Sequence, residues 1–146
     1  MTANIKEVLV PVDGSDNSIR AARFALEIAG ALDLQVRLFY VFPAASVELV
    51  GMAGMSRADI EQAADSSAQR AFDKVRAALE GQVTDRVQQE TAFGDPAQEI
   101  IGYCEREPLV LVVMGRRGLS RMKSLLIGSV SDKVIRHTSS PVTVIT

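Results

Sequence analysis

Five short runs of apolar or β-branched residues, at 5–12, 35–42, 83–93, 109–114 and 142–145, alternate with four stretches patterned as amphipathic helices. Such alternation leaves few folds open. Consecutive parallel strands need a crossover between them, and right-handed crossovers lay their helices over both faces of one sheet. The expected architecture is α/β: a three-layer open sheet of five parallel strands, with residues 1–146 forming a single domain. In such sheets ligands bind beyond the carboxyl ends of the strands, where the strand order reverses. If neighbouring strands fan outward from the first and fourth, that crevice lies between Pro11-Val12-Asp13 and Met114-Gly115.

Local signals set the boundaries. Ser15 is placed to cap a helix whose apolar stripe is Ile19, Ala22, Leu26 and Ala29. Pro43 ends the second strand, and the Met-rich stretch 43–56, with Gly51 and Gly54, reads as a mobile loop or a lid. A long helix is expected from Arg57 to Glu80, buried along Ile60, Ala64, Ala68, Ala71, Phe72, Val75 and Leu79 and stopped by Gly81. The third strand carries Gln88, Gln89 and Glu90, too polar for a sheet centre, so it belongs at a solvated edge. Asp95-Pro96 opens the next helix, with Ala97, Ile100, Ile101 and Cys104 on its apolar face. The last helix is expected from about Gly128 to His137.

Composition excludes several classes of function. A net charge of −2 and a pI near 5.4 argue against a broad nucleic-acid or anionic-membrane surface, so the cations at 116–123 form a local cluster suited to a small anion. No apolar run approaches a membrane span, and the first residues read into a strand without a signal-peptide core. The one cysteine, Cys104, falls on a helix's apolar face and suits packing in a reducing, cytoplasmic setting.

The segment after the fourth strand carries the chemistry. Gly115, Gly118 and Gly128 fall in the pattern G-x2-G-x9-G-[ST], completed by Ser129. Glycines there allow positive φ and let backbone N–H groups approach an oxyanion, and the free N–H groups at the following helix start form an anion site. Ser129 and Ser131 add hydroxyl donors, while Arg116, Arg117, Arg121 and Lys123 offer positive charge. The spacing arises by accident in roughly 0.6% of chains this long, so with its strand–loop–helix placement it outweighs a plain turn reading. Neither G-x-x-x-x-G-K-[ST] nor G-x-G-x-x-G is present.

These residues carry a family resemblance. The run Val8 to Ser15, Gly94-Asp95-Pro96, Val113 to Gly118, Gly128-Ser129-Val130 and Ser140-Pro141-Val142 together resemble the universal stress protein family, in its ATP-binding branch. The resemblance covers nearly the whole chain. It implies a Rossmann-like sheet of the adenine nucleotide alpha hydrolase-like type, in strand order 3-2-1-4-5, with ATP at the switch point. Pro11, Val12, Asp13 and Val41 would surround adenine and ribose, with Met114 beside the base. Gly115, Arg117, Gly118, Gly128, Ser129, Val130 and Ser131 would line the ribose-phosphate path. It further implies a homodimer through strand 142–145, which the sequence supports because Val142 to Ile145 is too apolar for an unpaired edge. Departures are Val110, where many relatives have Asp, and Ser131, where some have Thr. The 43–56 stretch follows no family pattern.

Asp13 reads as a solvated loop carboxylate, a helix-start charge, or a ribose or metal contact; the end of the first strand favours a ligand role. Asp132 complements a helix dipole, and His137 sits near a helix end. No metal site made by side chains is expected, so any Mg would arrive with ATP, Asp13 being the carboxylate nearest to hand. One histidine and no Walker-type lysine point to regulatory binding, with at most weak ATPase activity. The alternatives are a slow ATP hydrolase or phosphotransferase, and a nucleotide-free interaction module docking through Met52 and Met55.

Overall fold

The computed structural model describes residues 4–43, 45, 48, 51–82, 85–117 and 127–146. Its elements are β1 (Glu7–Pro11), α1 (Asp16–Leu32), β2 (Gln35–Pro43), α2 (Arg57–Ala78), β3 (Val87–Gly94), α3 (Pro96–Arg106), β4 (Val110–Gly115), α4 (Ser129–His137) and β5 (Val142–Ile145). The five strands form one parallel sheet in the order β3-β2-β1-β4-β5. Central β1 pairs Pro11 with Phe39 of β2 and Leu9 with Val112 of β4. Polar β3 is one edge, as its composition leads one to expect, and apolar β5 is the other.

Alternation along each strand divides the core. Val8, Val10, Val36, Leu38 and Val113 pack under α1 and α2, while Leu9, Phe39, Val112 and Met114 pack under α3 and α4. The buried face of α1 is Ser18, Ala21, Ala22, Ala25 and Ala29, rotated from the expected stripe, and Ile19 and Leu26 flank it. The small side chains bring the α1 backbone close to β1 and β4, and the larger ones fill the margins. On α3 the expected Ile101 is only half-buried, and Tyr103 takes its place beside Ala97, Ile100 and Cys104.

Helix starts follow local chemistry. Ser15 accepts from Ser18 N–H, Ser56 and Asp59 form a reciprocal capping box, and Asp95 accepts from Gln98 N–H behind Pro96. α2 ends at Ala78, two residues before the expected Glu80, and Gly81 turns the chain at φ 79°. β3 runs from Val87; residues 83–84 of the expected strand lie outside the described residues, and Arg86, in the turn before β3, donates from its guanidinium to Ala29 O (3.3 Å) and Leu34 O (2.8 Å). The expected lid at 43–56 falls partly outside the described residues. Within it Met52 and Met55 are exposed.

At the N-terminal end of the sheet, under α3, a charged cluster replaces apolar packing. Arg37 donates to Glu7 (3.1 Å) and pairs with Glu90 (3.6 Å), and the buried Tyr103 hydroxyl donates to the other oxygen of Glu7. Tyr103 also meets the Phe39 ring at 5.4 Å.

Candidate functional site

Three chain segments build a crevice at the carboxyl ends of β1, β2 and β4. Beyond β1, the Asp13 carboxylate accepts from Ser15 N–H (2.9 Å), and Gly14 takes φ 84°, a turn that a side chain would strain. Ser18 Oγ then donates to Ser15 O (2.9 Å), fixing the first turn of α1. This ties the chain leaving β1 into one rigid corner.

β2 runs on from Phe39, the last partner of β1, to Pro43. Val12 N–H donates to Phe39 O (2.9 Å). In a parallel ladder alternate residues turn their N–H and C=O to the same side. Val41, two residues past Phe39, therefore directs its main-chain donor and acceptor into the crevice that β1 has vacated.

Beyond β4, Arg116 N–H donates to Ile145 O (2.9 Å), and Gly128 N–H donates to Arg116 O (2.7 Å), so α4 starts against the end of β4. Contrary to the expectation from the glycine motif, Gly115 and Gly128 do not use positive φ; Gly128 sits at φ −69°. They are required by close approach. A Cβ on Gly115 would stand 2.8 Å from Asn17 Cβ, and one on Gly128 would stand 3.2 Å from Arg116 O. Gly118, Arg121 and Lys123 lie outside the described residues.

The start of α4 differs from those of α1, α2 and α3 in having no capping side chain. Among the described residues no acceptor takes the N–H groups of Ser129, Val130 and Ser131. They leave a concentration of positive partial charge at the crevice wall. The Ser131 hydroxyl, expected as a donor to ligand, instead donates to Gly115 O (2.9 Å) at a buried position. Asp132 pairs with Arg136 (3.0 Å), in keeping with a structural charge.

The crevice encloses about 430 Å³, within the range of small-molecule sites. Pro11, Val12, Asp13, Val41, Met114, Gly115, Arg117, Gly128, Ser129, Val130 and Ser131 all line it. So do Ser15, Ser18, Phe39, Tyr40, Pro43, Pro96 and Ile100, which sequence reasoning did not assign to it. Phe39 and Tyr40 had a signal, since they adjoin Val41. Pro96 and Ile100 had none, because only the packing of α3 across β2 and β3 brings them there. One side of the cavity is thus apolar (Phe39, Val41, Ile100, Met114) and the α4 side presents N–H groups. Its ionisable side chains among the described residues are Asp13, Tyr40 and Arg117, and the Arg117 Nε is buried without a partner.

Comparison with known proteins extends this picture. Residues 4–146 match the model of the universal stress protein family. The universal stress protein MJ0531 of Methanocaldococcus jannaschii is 32% identical over 141 residues, covering 96% of this chain and 81% of that protein. Among solved structures, universal stress protein UspA from Lactobacillus plantarum superposes with a TM-score of 0.78 at 26% identity, covering 99% of this chain and 100% of that one. A universal stress protein solved in complex with cAMP gives a TM-score of 0.65 at 24% identity, with 97% of each chain covered, a likeness of fold.

Proposed function

The chain belongs to the universal stress protein family, and from that premise we propose that it is a regulatory binding module for adenine nucleotide, with ATP as its ligand. The observation that carries this reading is the uncapped start of α4, whose open N–H groups face a cavity with apolar walls at the switch in strand order. Open amides at a helix start suit phosphate, and an adjoining apolar cleft suits a base. The cAMP complex of a relative shares the adenine and phosphate chemistry.

In this reading the phosphates lie on Ser129, Val130 and Ser131 N–H, with Gly115, Gly118 and Gly128 giving close access and Arg117 neutralising charge. The base lies against Met114 and pairs with the main chain of Val41, and the ribose crosses Pro11-Val12-Asp13. Micromolar affinity requires about 8 kcal/mol, within reach of several amide hydrogen bonds and a buried base. Among the described residues no group of three His, Cys, Asp or Glu side chains is placed to hold a metal. Mg would therefore enter on the phosphates, with Asp13 as its protein carboxylate.

The module signals by occupancy rather than turnover. Among the described residues the cavity's one cationic side chain is Arg117, which suits holding phosphate. The module acts as a homodimer joined along β5, in the cytoplasm. No helix among the described residues is long and apolar enough to cross a membrane.

Denaturing freshly purified protein and identifying the released small molecules by mass spectrometry tests this directly. Near-stoichiometric adenine nucleotide is the expected result. An empty protein that also shows no calorimetric response to Mg-ATP would transfer the reading to a nucleotide-free docking module. Gly118→Asp, which places a negative side chain on the phosphate path, should abolish nucleotide binding and any partner binding that depends on it.

A further inference from the structure

Arg117 lines the cavity as an uncompensated cation. The residue is half-buried, and its Nε is withdrawn from water with no acceptor. Arg37 and Arg86, also half-buried, each pair with a carboxylate, Arg37 with Glu7 and Arg86 with Asp33. Among the described residues no carboxylate pairs with Arg117. A guanidinium drawn out of water without a counter-charge is costly, and an arriving anion removes that cost.

Its position suggests which anion. Arg117 adjoins the start of α4: a Cβ on Gly128, the residue before that helix, would stand 3.3 Å from Arg117 Cα and 3.8 Å from its Cβ. Helix amides and a guanidinium therefore stand as two sets of donors in one part of the cavity. A cyclic phosphodiester offers them a single charge and a single phosphate, which the amides alone can hold. An open phosphate chain brings further charge and further oxygens, the pairing that a planar guanidinium fits. We propose that Arg117 is a specificity-determining residue, pairing with the phosphate chain so that the cavity selects nucleoside di- and triphosphates over a cyclic monophosphate. The inference deepens the adenine-nucleotide reading and rests on it.

Full-length protein freed of nucleotide is titrated by calorimetry with ATP, ADP and cAMP, in chelator so that no metal shares the charge. Wild type is compared with Arg117→Met, which keeps an unbranched apolar stem and removes the cation. Wild type should bind ATP and ADP about ten-fold more tightly than cAMP. Arg117→Met should lose about that factor for ATP and ADP and hold its cAMP affinity within about two-fold. Without nucleotide the variant should unfold at the wild-type urea midpoint or above it, since an unpaired cation has gone. Equal losses for ATP and cAMP would overturn the assignment, and so would an unchanged ATP affinity. A lower urea midpoint in the empty variant would assign Arg117 to the fold and overturn it too. Wild type that binds cAMP as tightly as ATP would overturn the selection while leaving the adenine-nucleotide reading intact. Wild type that binds none of the three would instead refute that reading, and this assignment with it.

Discussion

Gly115 at the end of β4 and Asn17 in the first turn of α1 approach so closely that no side chain fits between them. A Cβ on Gly115 would lie 2.8 Å from Asn17 Cβ and 3.0 Å from its carbonyl carbon and oxygen. The obstacle is largely backbone, so it cannot swing aside. Gly115→Ala should cost about 1–3 kcal/mol through overpacking and weaken nucleotide binding by shifting the Asp13–Ser15 corner. Gly30, inside α1 with nothing within 4 Å of where a methyl would stand, supplies the contrast. Gly30→Ala should stabilise by about 0.5–1 kcal/mol, since alanine loses less conformational freedom in a helix. Urea unfolding of both variants checks the opposite signs.

Tyr103 predicts an alkaline limit to stability. Burial first, then the hydrogen bond to Glu7 and its negative charge, hold the phenol well above the ordinary tyrosine range, with Arg37 opposing them. Above pH of about 10 the unfolded chain loses this proton while the folded chain keeps it, so unfolding becomes more favourable as pH rises. The contribution is fully present below that pH and is lost as pH climbs towards the folded value. Tyr103→Phe should cost about 1–2 kcal/mol near neutrality by removing a hydrogen bond to a charged group. It should also flatten the decline above pH of about 10. Urea midpoints measured from neutral to alkaline pH test both parts.

The alternation of strand and helix patterns carried the fold, because each element's period and caps agree with its neighbours. Polar Gln88 to Glu90 even marked one sheet edge, while the place of apolar Val142 to Ile145 at the other followed only from the family resemblance. The site was readable where it is contiguous, at Pro11 to Asp13 and across the glycine motif. What pattern alone misassigned was the reason for a residue. Gly115 and Gly128 answer to neighbouring backbone that sequence places far away, and the Ser131 hydroxyl is committed to Gly115 O. Tyr103 on the buried face of α3 donates its hydroxyl hydrogen bond to Glu7, 96 residues away, a pairing no helical period encodes.

Asp13→Asn separates turn from ligand. The asparagine carbonyl can still accept from Ser15 N–H, so thermal stability should change by no more than about 1 kcal/mol. The charge, however, is gone. If the carboxylate meets Mg on the nucleotide, affinity for Mg-ATP should fall about ten-fold, or about 1.4 kcal/mol, while affinity for ATP in chelator stays unchanged. An equal loss with and without Mg assigns Asp13 to the ribose instead. Calorimetry in the two buffers decides.

The edge of β5 predicts how to separate the dimer from the fold. Val112 N–H donates to Pro141 O and Arg116 N–H to Ile145 O, so residues 141, 143 and 145 turn their main chain to β4. By alternation Val142 and Val144 turn theirs outward, to the open edge. Val144→Pro removes one outward N–H without breaking a bond to β4, which is where a sheet tolerates proline. Sedimentation should show wild type as a dimer and Val144→Pro as a folded monomer with an unchanged helical circular dichroism signal. A variant that still sediments as a dimer would move the interface away from β5. Wild type that sediments as a monomer at micromolar concentration would remove the dimer itself. If instead the monomer forms and still binds ATP with wild-type affinity, the cavity is complete within one chain and the partner serves the signal rather than the site.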